Sequence, residues 1–178
     1  MHDQTDANIL GVKRIMIPTD FSPPADRALL YAIRYAETTG SEMLVLHVEH
    51  HGSAPWGTPA KEYLHCKERA HQQMRERLDA LIARFSRNPE KPLPFHYRLI
   101  IVGGDAAQEI IKSALDHSID MIFIPTHGYR GMKRIFLGGT AQKVVRYAAC
   151  PVVVVREKDQ DLITPPKEAE PAGNQGCP

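Results

Sequence analysis

Between Ile122 and Val155 the chain places residue types that hold anions. An apolar strand runs into Thr126-His127-Gly128. A loop bearing Arg130, Lys133 and Arg134 follows, and Gly138-Gly139-Thr140 then opens an apolar-faced stretch. Free backbone N–H groups at a helix start attract anions, and nearby cations strengthen that attraction. Gly128 and Gly138 allow close approach of backbone to phosphate, and positive φ. Thr140 reads as an N-cap whose hydroxyl can also face phosphate. The three basic residues read either as counter-charges or as ordinary solvated loop charge. His127 can donate to a phosphate or brace the turn. A second segment, Pro18-Thr19-Asp20, ends another apolar strand. There the Asp20 carboxylate can accept from a ribose hydroxyl or a base amine, or compete with Ser22 to cap the next helix. A third, Gly103-Gly104-Asp105, is a glycine turn with Asp105 as N-cap.

Other chemistries lack support. There is no Gly-x-x-x-x-Gly-Lys-Ser/Thr phosphate loop, no dinucleotide fingerprint and no Gly-x-Ser-x-Gly elbow. No nucleophile stands at a telling distance from a base, so the pattern favours binding over turnover. His47, His50, His51, His65, Cys66 and His71 gather around the second strand and the following helix without a recognised ligand spacing. Solvated histidines and no metal are therefore the expectation. The formal net charge of +1 over 178 residues gives no basic footprint for nucleic acid. No apolar run spans a membrane, and the polar, acidic start is no secretory signal. Three widely spaced cysteines suit a reducing cytoplasm rather than a disulfide framework.

The elements that must position these segments follow from periodicity. Lys13–Pro18 predicts a strand. Ser22 caps a helix with Pro23 at its first position and Ala25, Ala28, Leu29, Ala32, Ile33 and Ala36 on one face, and Gly40 ends it. Met43–Val48 predicts the second strand, and Ala60–Phe85 a long charged helix whose buried stripe is Met74, Leu78, Leu81, Ile82 and Phe85. Phe95–Val102 predicts the third strand. A helix follows with Ala107, Ile110, Ile111, Ala114 and Leu115 on its core face. Met121–Ile124 is the fourth strand, Ala141, Val144, Val145 and Ala148 mark the fourth helix, and Val152–Val155 is the last strand. Strands alternating with helices imply right-handed crossovers and a doubly wound parallel sheet covered on both faces. Ligands of such sheets sit beyond the carboxyl ends of the strands, where the three segments converge. Residues 1–11 read as a flexible start, 12–156 as one domain, and 157–178 as a flexible Pro/Glu-containing tail.

Several of these segments together resemble the universal stress protein (UspA-like) family. They are Ile17-Pro18-Thr19-Asp20-Phe21-Ser22, Leu46-His47-Val48, Thr126-His127-Gly128, Leu137-Gly138 and Ala149-Cys150-Pro151-Val152. The resemblance implies a five-stranded sheet of order 3-2-1-4-5 and a homodimer formed through the last strand. It also implies a cytoplasmic stress-response protein with an adenine nucleotide, ATP foremost and with or without Mg, as regulatory ligand. The family's ATP-binding branch carries Gly-x-x-Gly, nine residues, then Gly-Ser/Thr. On this chain those positions fall on Pro125, Gly128, Gly138 and Gly139, with Thr140 just after. The resemblance assigns Asp20 and Val48 to the adenosine part, with Pro18 and Thr19 beside them. It assigns Gly128, Gly138, Gly139 and Thr140 to ribose and phosphates, flanked by Thr126, His127 and Arg130. Pro125 brings no N–H and Gly139 no hydroxyl, and each hydrogen bond lost to a charged ligand costs about 1.5–3 kcal/mol. The other reading is a nucleotide-independent dimeric interaction module. Its apolar Val152–Val155 edge would pair with a second copy.

Overall fold

The structure is a computed structural model of the chain and describes residues 11–49, 60–88, 90–127 and 137–156. Its elements are β1 (Arg14–Thr19), α1 (Pro23–Thr39), β2 (Glu42–Glu49), α2 (Ala60–Phe85), β3 (Tyr97–Gly103), α3 (Ala106–Asp116), β4 (Met121–Pro125), α4 (Gly139–Tyr147) and β5 (Val152–Val155). All strand pairs are parallel, in the order β3-β2-β1-β4-β5. The expected sheet order is therefore the observed one. Gly128, Arg130, Lys133, Arg134, His50, His51 and the two terminal segments lie outside the described residues.

Side-chain alternation along the strands builds two cores. Ile15, Ile17, Met43, Val45 and Phe123 face α1 and α2, where they meet Leu29, Ile33, Leu78 and Ile82. Met16, Leu44, Leu46, Ile122 and Ile124 face α3 and α4 and meet Ile110, Ala114, Ala141 and Val144. Burial on both faces explains why these strands read as continuous apolar runs. α1 starts as expected, with Ser22 Oγ accepting from the Ala25 N–H at 3.4 Å and Pro23 in the first turn. It ends on Gly40 at φ 70, whose N–H bonds back to the Ala36 carbonyl. α3 is capped by Asp105, which accepts from the Gln108 N–H.

Three expectations are corrected. β3 starts at Tyr97 rather than Phe95, because Phe95 is buried from the preceding turn and serves the core without joining the ladder. Leu115 and Val145 are 61% and 46% exposed, since the apolar stripes of α3 and α4 run past the edge of their mutual contact. Thr140 does not cap α4. Gly138 holds the N-cap position with no side-chain hydrogen bond, and Thr140 lies exposed inside the first turn.

The feature that opens the site is the short seam between β1 and β4. Only Ile15–Met121 and Met16–Ile122 pair across it, whereas β1 and β2 pair along six residues. At the lower end the strands are clamped. Asp120 Oδ2 accepts both the Lys13 and Arg14 N–H groups at 2.8 Å, and Arg14 Nη1 donates to the His117 carbonyl at 2.7 Å. Above Met16 the backbone ladder between them stops. The Arg14 carbonyl accepts from Asp120 on the β4 side and Thr126 donates to Val155 on the β5 side. Alternation along the strands therefore turns the Pro18 nitrogen toward β4 and the Pro125 nitrogen toward β1. Neither nitrogen carries a hydrogen.

Candidate functional site

Beyond the end of this ladder lies a cleft of about 520 Å³ at the carboxyl edge of the sheet, a size suited to a small-molecule ligand. β1 supplies Pro18, Thr19 and Asp20. β2 supplies Leu46, His47, Val48 and Glu49, and β4 Ile124, Pro125 and the following His127. α3 adds Ala106 and Ile110, and α4 adds Gly138 to Ala141. Leu46, Ile110, Ile124 and Ala141 are buried and make an apolar floor, while the polar groups stand around the rim.

The Asp20 side is a tightly wired turn. Thr19 Oγ1 accepts the Phe21 N–H at 2.9 Å, and Asp20 Oδ1 accepts the Ser22 N–H at 3.0 Å. Phe21 adopts φ 56, a left-handed conformation rare for a bulky residue. His47 is not a solvated histidine, contrary to expectation. Its Nδ1 lies 2.8 Å from the Thr19 carbonyl, which can only accept, so Nδ1 carries the hydrogen. Its ring rests 5.6 Å from that of Phe21. At the end of β2, Glu49 meets His71 Nε2 at 2.7 Å and Lys67 Nζ at 3.1 Å. Burial pushes the Glu49 carboxyl up, but the hydrogen bonds from His71 and Lys67 outweigh it and hold it below its usual range. Among the described residues no three His, Cys, Asp or Glu side chains gather in a way that could hold a metal ion.

The opposite side is the start of α4. The Gly138 N–H donates to the Thr126 carbonyl at 2.7 Å, pinning together the two ends of the segment between them. A Cβ on Gly138 would come within 3.2 Å of that carbonyl oxygen and 3.4 Å of His127 Cα. Close approach is thus the reason for glycine, and positive φ is not, because Gly138 sits at φ −57. Gly139 has nothing within 4 Å of a Cβ, so its glycine has no steric explanation in the described structure. The first-turn N–H groups of a helix lack intrahelical acceptors. In α1 and α3 a side-chain cap and a first-turn carboxylate attend them, but among the described residues α4 has neither.

Of the residues anticipated from sequence, Pro18, Thr19, Asp20, Val48, His127, Gly138, Gly139 and Thr140 line this one cleft. Thr126 braces it from behind. Its N–H bonds Val155, its carbonyl holds Gly138, and its hydroxyl lies 3.0 Å from His127 Nδ1. Gly103 and Gly104 do not reach the cleft, and their turn contributes Ala106 instead. Sequence reasoning missed His47, Glu49 and the apolar floor. The floor residues carried only a core signal, and that signal was correct for them.

A doubly wound parallel sheet with a ligand-sized cleft at its topological switch point defines the class of open, doubly wound α/β domains. Within that class the chain belongs to the universal stress protein family, whose pattern matches residues 11–156. It is 28% identical over 163 residues to universal stress protein MJ0577 of Methanocaldococcus jannaschii, covering 83% of this chain and 96% of that one. Among solved structures, the universal stress protein UspA from Lactobacillus plantarum superposes with a TM-score of 0.64 at 26% identity, covering 82% of this chain and 98% of that one. The universal stress protein from Archaeoglobus fulgidus in complex with dAMP shares the fold at 20% identity and a TM-score of 0.50, covering 80% of this chain and 96% of that one.

Proposed function

We propose that this chain binds ATP or a related adenine nucleotide, with or without Mg, as the regulatory ligand of a cytoplasmic, homodimeric stress-response protein. One observation carries the reading: a single cleft sets Asp20 and Val48 opposite the uncapped start of α4. The donor set fits such a ligand. Asp20 offers a carboxylate for hydroxyl or amine hydrogens, and the apolar floor suits a planar base. The N–H groups of Gly139, Thr140 and Ala141 suit a phosphate, and the helix dipole adds to their attraction. A fold relative that holds dAMP supports an adenine nucleotide as the class. Pro125 removes less than the sequence suggests. Its nitrogen faces β1, and Thr126 continues the ladder to Val155 at 3.1 Å. The role is binding rather than turnover. The test is calorimetry on nucleotide-stripped protein with ATP, ADP and AMP. Asp20→Ala is expected to weaken binding about tenfold or more, the worth of a hydrogen bond to a charged group. No heat with any nucleotide at millimolar concentration defeats the proposal.

A second reading, the nucleotide-independent dimeric module, draws on β5. Among the described residues this strand ends the sheet and pairs with β4 alone, and Val152, Val153 and Val154 remain half-buried along it. A short apolar edge of this kind is an aggregation hazard unless another strand covers it. Self-pairing across a two-fold axis would do so. A monomer by light scattering, together with normal nucleotide binding, counts against this reading.

A further inference from the structure

The turn that carries Asp20 is gripped from outside the cleft. Arg77 of α2 donates from Nη2 to the Phe21 carbonyl at 2.6 Å, across 56 residues of sequence. Its guanidinium lies 5.3 Å from the centroid of the Phe21 ring, and Nη2 is also 3.6 Å from Asp26 Oδ2. Phe21 is the residue held at φ 56, a conformation that a bulky L-residue keeps only when its surroundings over-determine it. Three constraints do so: Thr19 Oγ1 on its N–H, the His47 ring against its side chain, and Arg77 on its carbonyl. Both anchored backbone groups, the N–H and the carbonyl, belong to Phe21, the residue that follows Asp20. The two peptide units flanking Phe21 fix where the Asp20 backbone turns, and the Ser22 N–H then orients its carboxylate. Arg77 itself does not line the cleft.

We propose that Arg77 is a positioning residue for nucleotide binding, and that its grip on the Phe21 carbonyl sets the direction from which Asp20 meets the ligand. This rests on the nucleotide reading above and extends it to α2, the helix that also supplies Lys67 and His71 to Glu49. The guanidinium fork suits the task, because one end can hold the carbonyl while the plane covers the ring. Asp26 gives Arg77 a second anchor. Burial raises the Asp26 carboxyl above its ordinary range, and Arg77 opposes that rise.

A double-mutant cycle tests the inference, with ATP as the probe in calorimetry on the nucleotide-stripped full chain. Arg77→Ala is expected to weaken ATP binding about tenfold in the wild-type background and less than twofold in an Asp20→Ala background. Arg77→Met keeps an apolar stem over Phe21 and removes the donor, so it serves as the second variant and is expected to show the same pattern. Arg77→Lys, which keeps one donor and the charge, is expected to recover part of the affinity. Melting temperatures of all variants are recorded alongside. A merely structural role would give losses that follow the melting temperature and are equal in both backgrounds. That result, or unchanged affinity in both Arg77→Ala and Arg77→Met, overturns the inference while the nucleotide reading stands. Failure of the wild-type chain to bind ATP overturns both.

Discussion

Gly138 and Gly139 are neighbours in sequence, yet substitution by alanine is expected to move stability in opposite directions. Both lie at the start of α4. Neither has a positive φ, so alanine meets no backbone penalty and gains about 0.4–1 kcal/mol by restricting the unfolded chain. At Gly139 nothing among the described residues stands within 4 Å of the added methyl, so that gain is kept. At Gly138 the methyl falls 3.2 Å from the Thr126 oxygen and 3.4 Å from His127 Cα, both backbone atoms. Relief requires a shift of the Thr126–His127 backbone, which lengthens the 2.7 Å bond from Gly138 to Thr126. Overpacking of this kind costs about 1–3 kcal/mol, so the net for Gly138→Ala is a loss of roughly 1–2 kcal/mol. For a domain of this size that is a fall of about 2–8 °C in Tm, against a rise of about 1–4 °C for Gly139→Ala. Paired thermal melts by circular dichroism read the difference directly. Calorimetry is expected to show ATP affinity weakened about tenfold by Gly138→Ala and changed less than about twofold by Gly139→Ala. Equal Tm shifts of the same sign would refute the close-approach argument.

Two further predictions concern ionisation. Because the Glu49 carboxyl is held below its usual 4.5, its stabilising effect is present above that pH and lost as pH falls through the lower folded value. Glu49→Gln is therefore expected to be less stable than wild type at neutral pH, with the gap closing in acid melts; a gap that stays constant would contradict the ion cluster. Tyr97 behaves in the opposite sense. Burial and its 2.9 Å bond to Asp79 push its hydroxyl up to about 12, so the folded state keeps its proton after the unfolded chain loses it at 10. Stability from this group is full below pH 10 and declines above it, and Tyr97→Phe is expected to lose less stability than wild type across that alkaline range.

The sheet was legible in the sequence because its determinants are local. Runs such as Ile15–Ile17 and Met121–Ile124 announce two-sided burial, and Ser22, Gly40 and Asp105 punctuate the helices by chemistry confined to a few residues. The rim of the cleft was legible for the same reason, through Asp20, His127 and Gly138. What escaped depends on contacts between distant parts of the chain. The Nδ1 bond of His47 to Thr19, the pairing of Glu49 with His71 and the reach of Arg77 to Phe21 join residues 28, 22 and 56 positions apart. Periodicity on α2 marks Arg77 only as polar. At α4 both Gly138 and Thr140 are acceptable N-cap residues, and choosing between them requires knowing that the Thr126 carbonyl holds the Gly138 N–H beside the helix start.

The early end of the ladder between β1 and β4 has a thermodynamic consequence. Neighbouring strands with facing N–H groups gain by bonding along their whole length, and a ligand wedged between them would have to break those bonds. Here the nitrogens that face across the seam above Met16 belong to Pro18 and Pro125, so no such bonds exist at that level. A ligand entering the cleft there has no strand pairing to undo, and more of its contact energy remains as affinity.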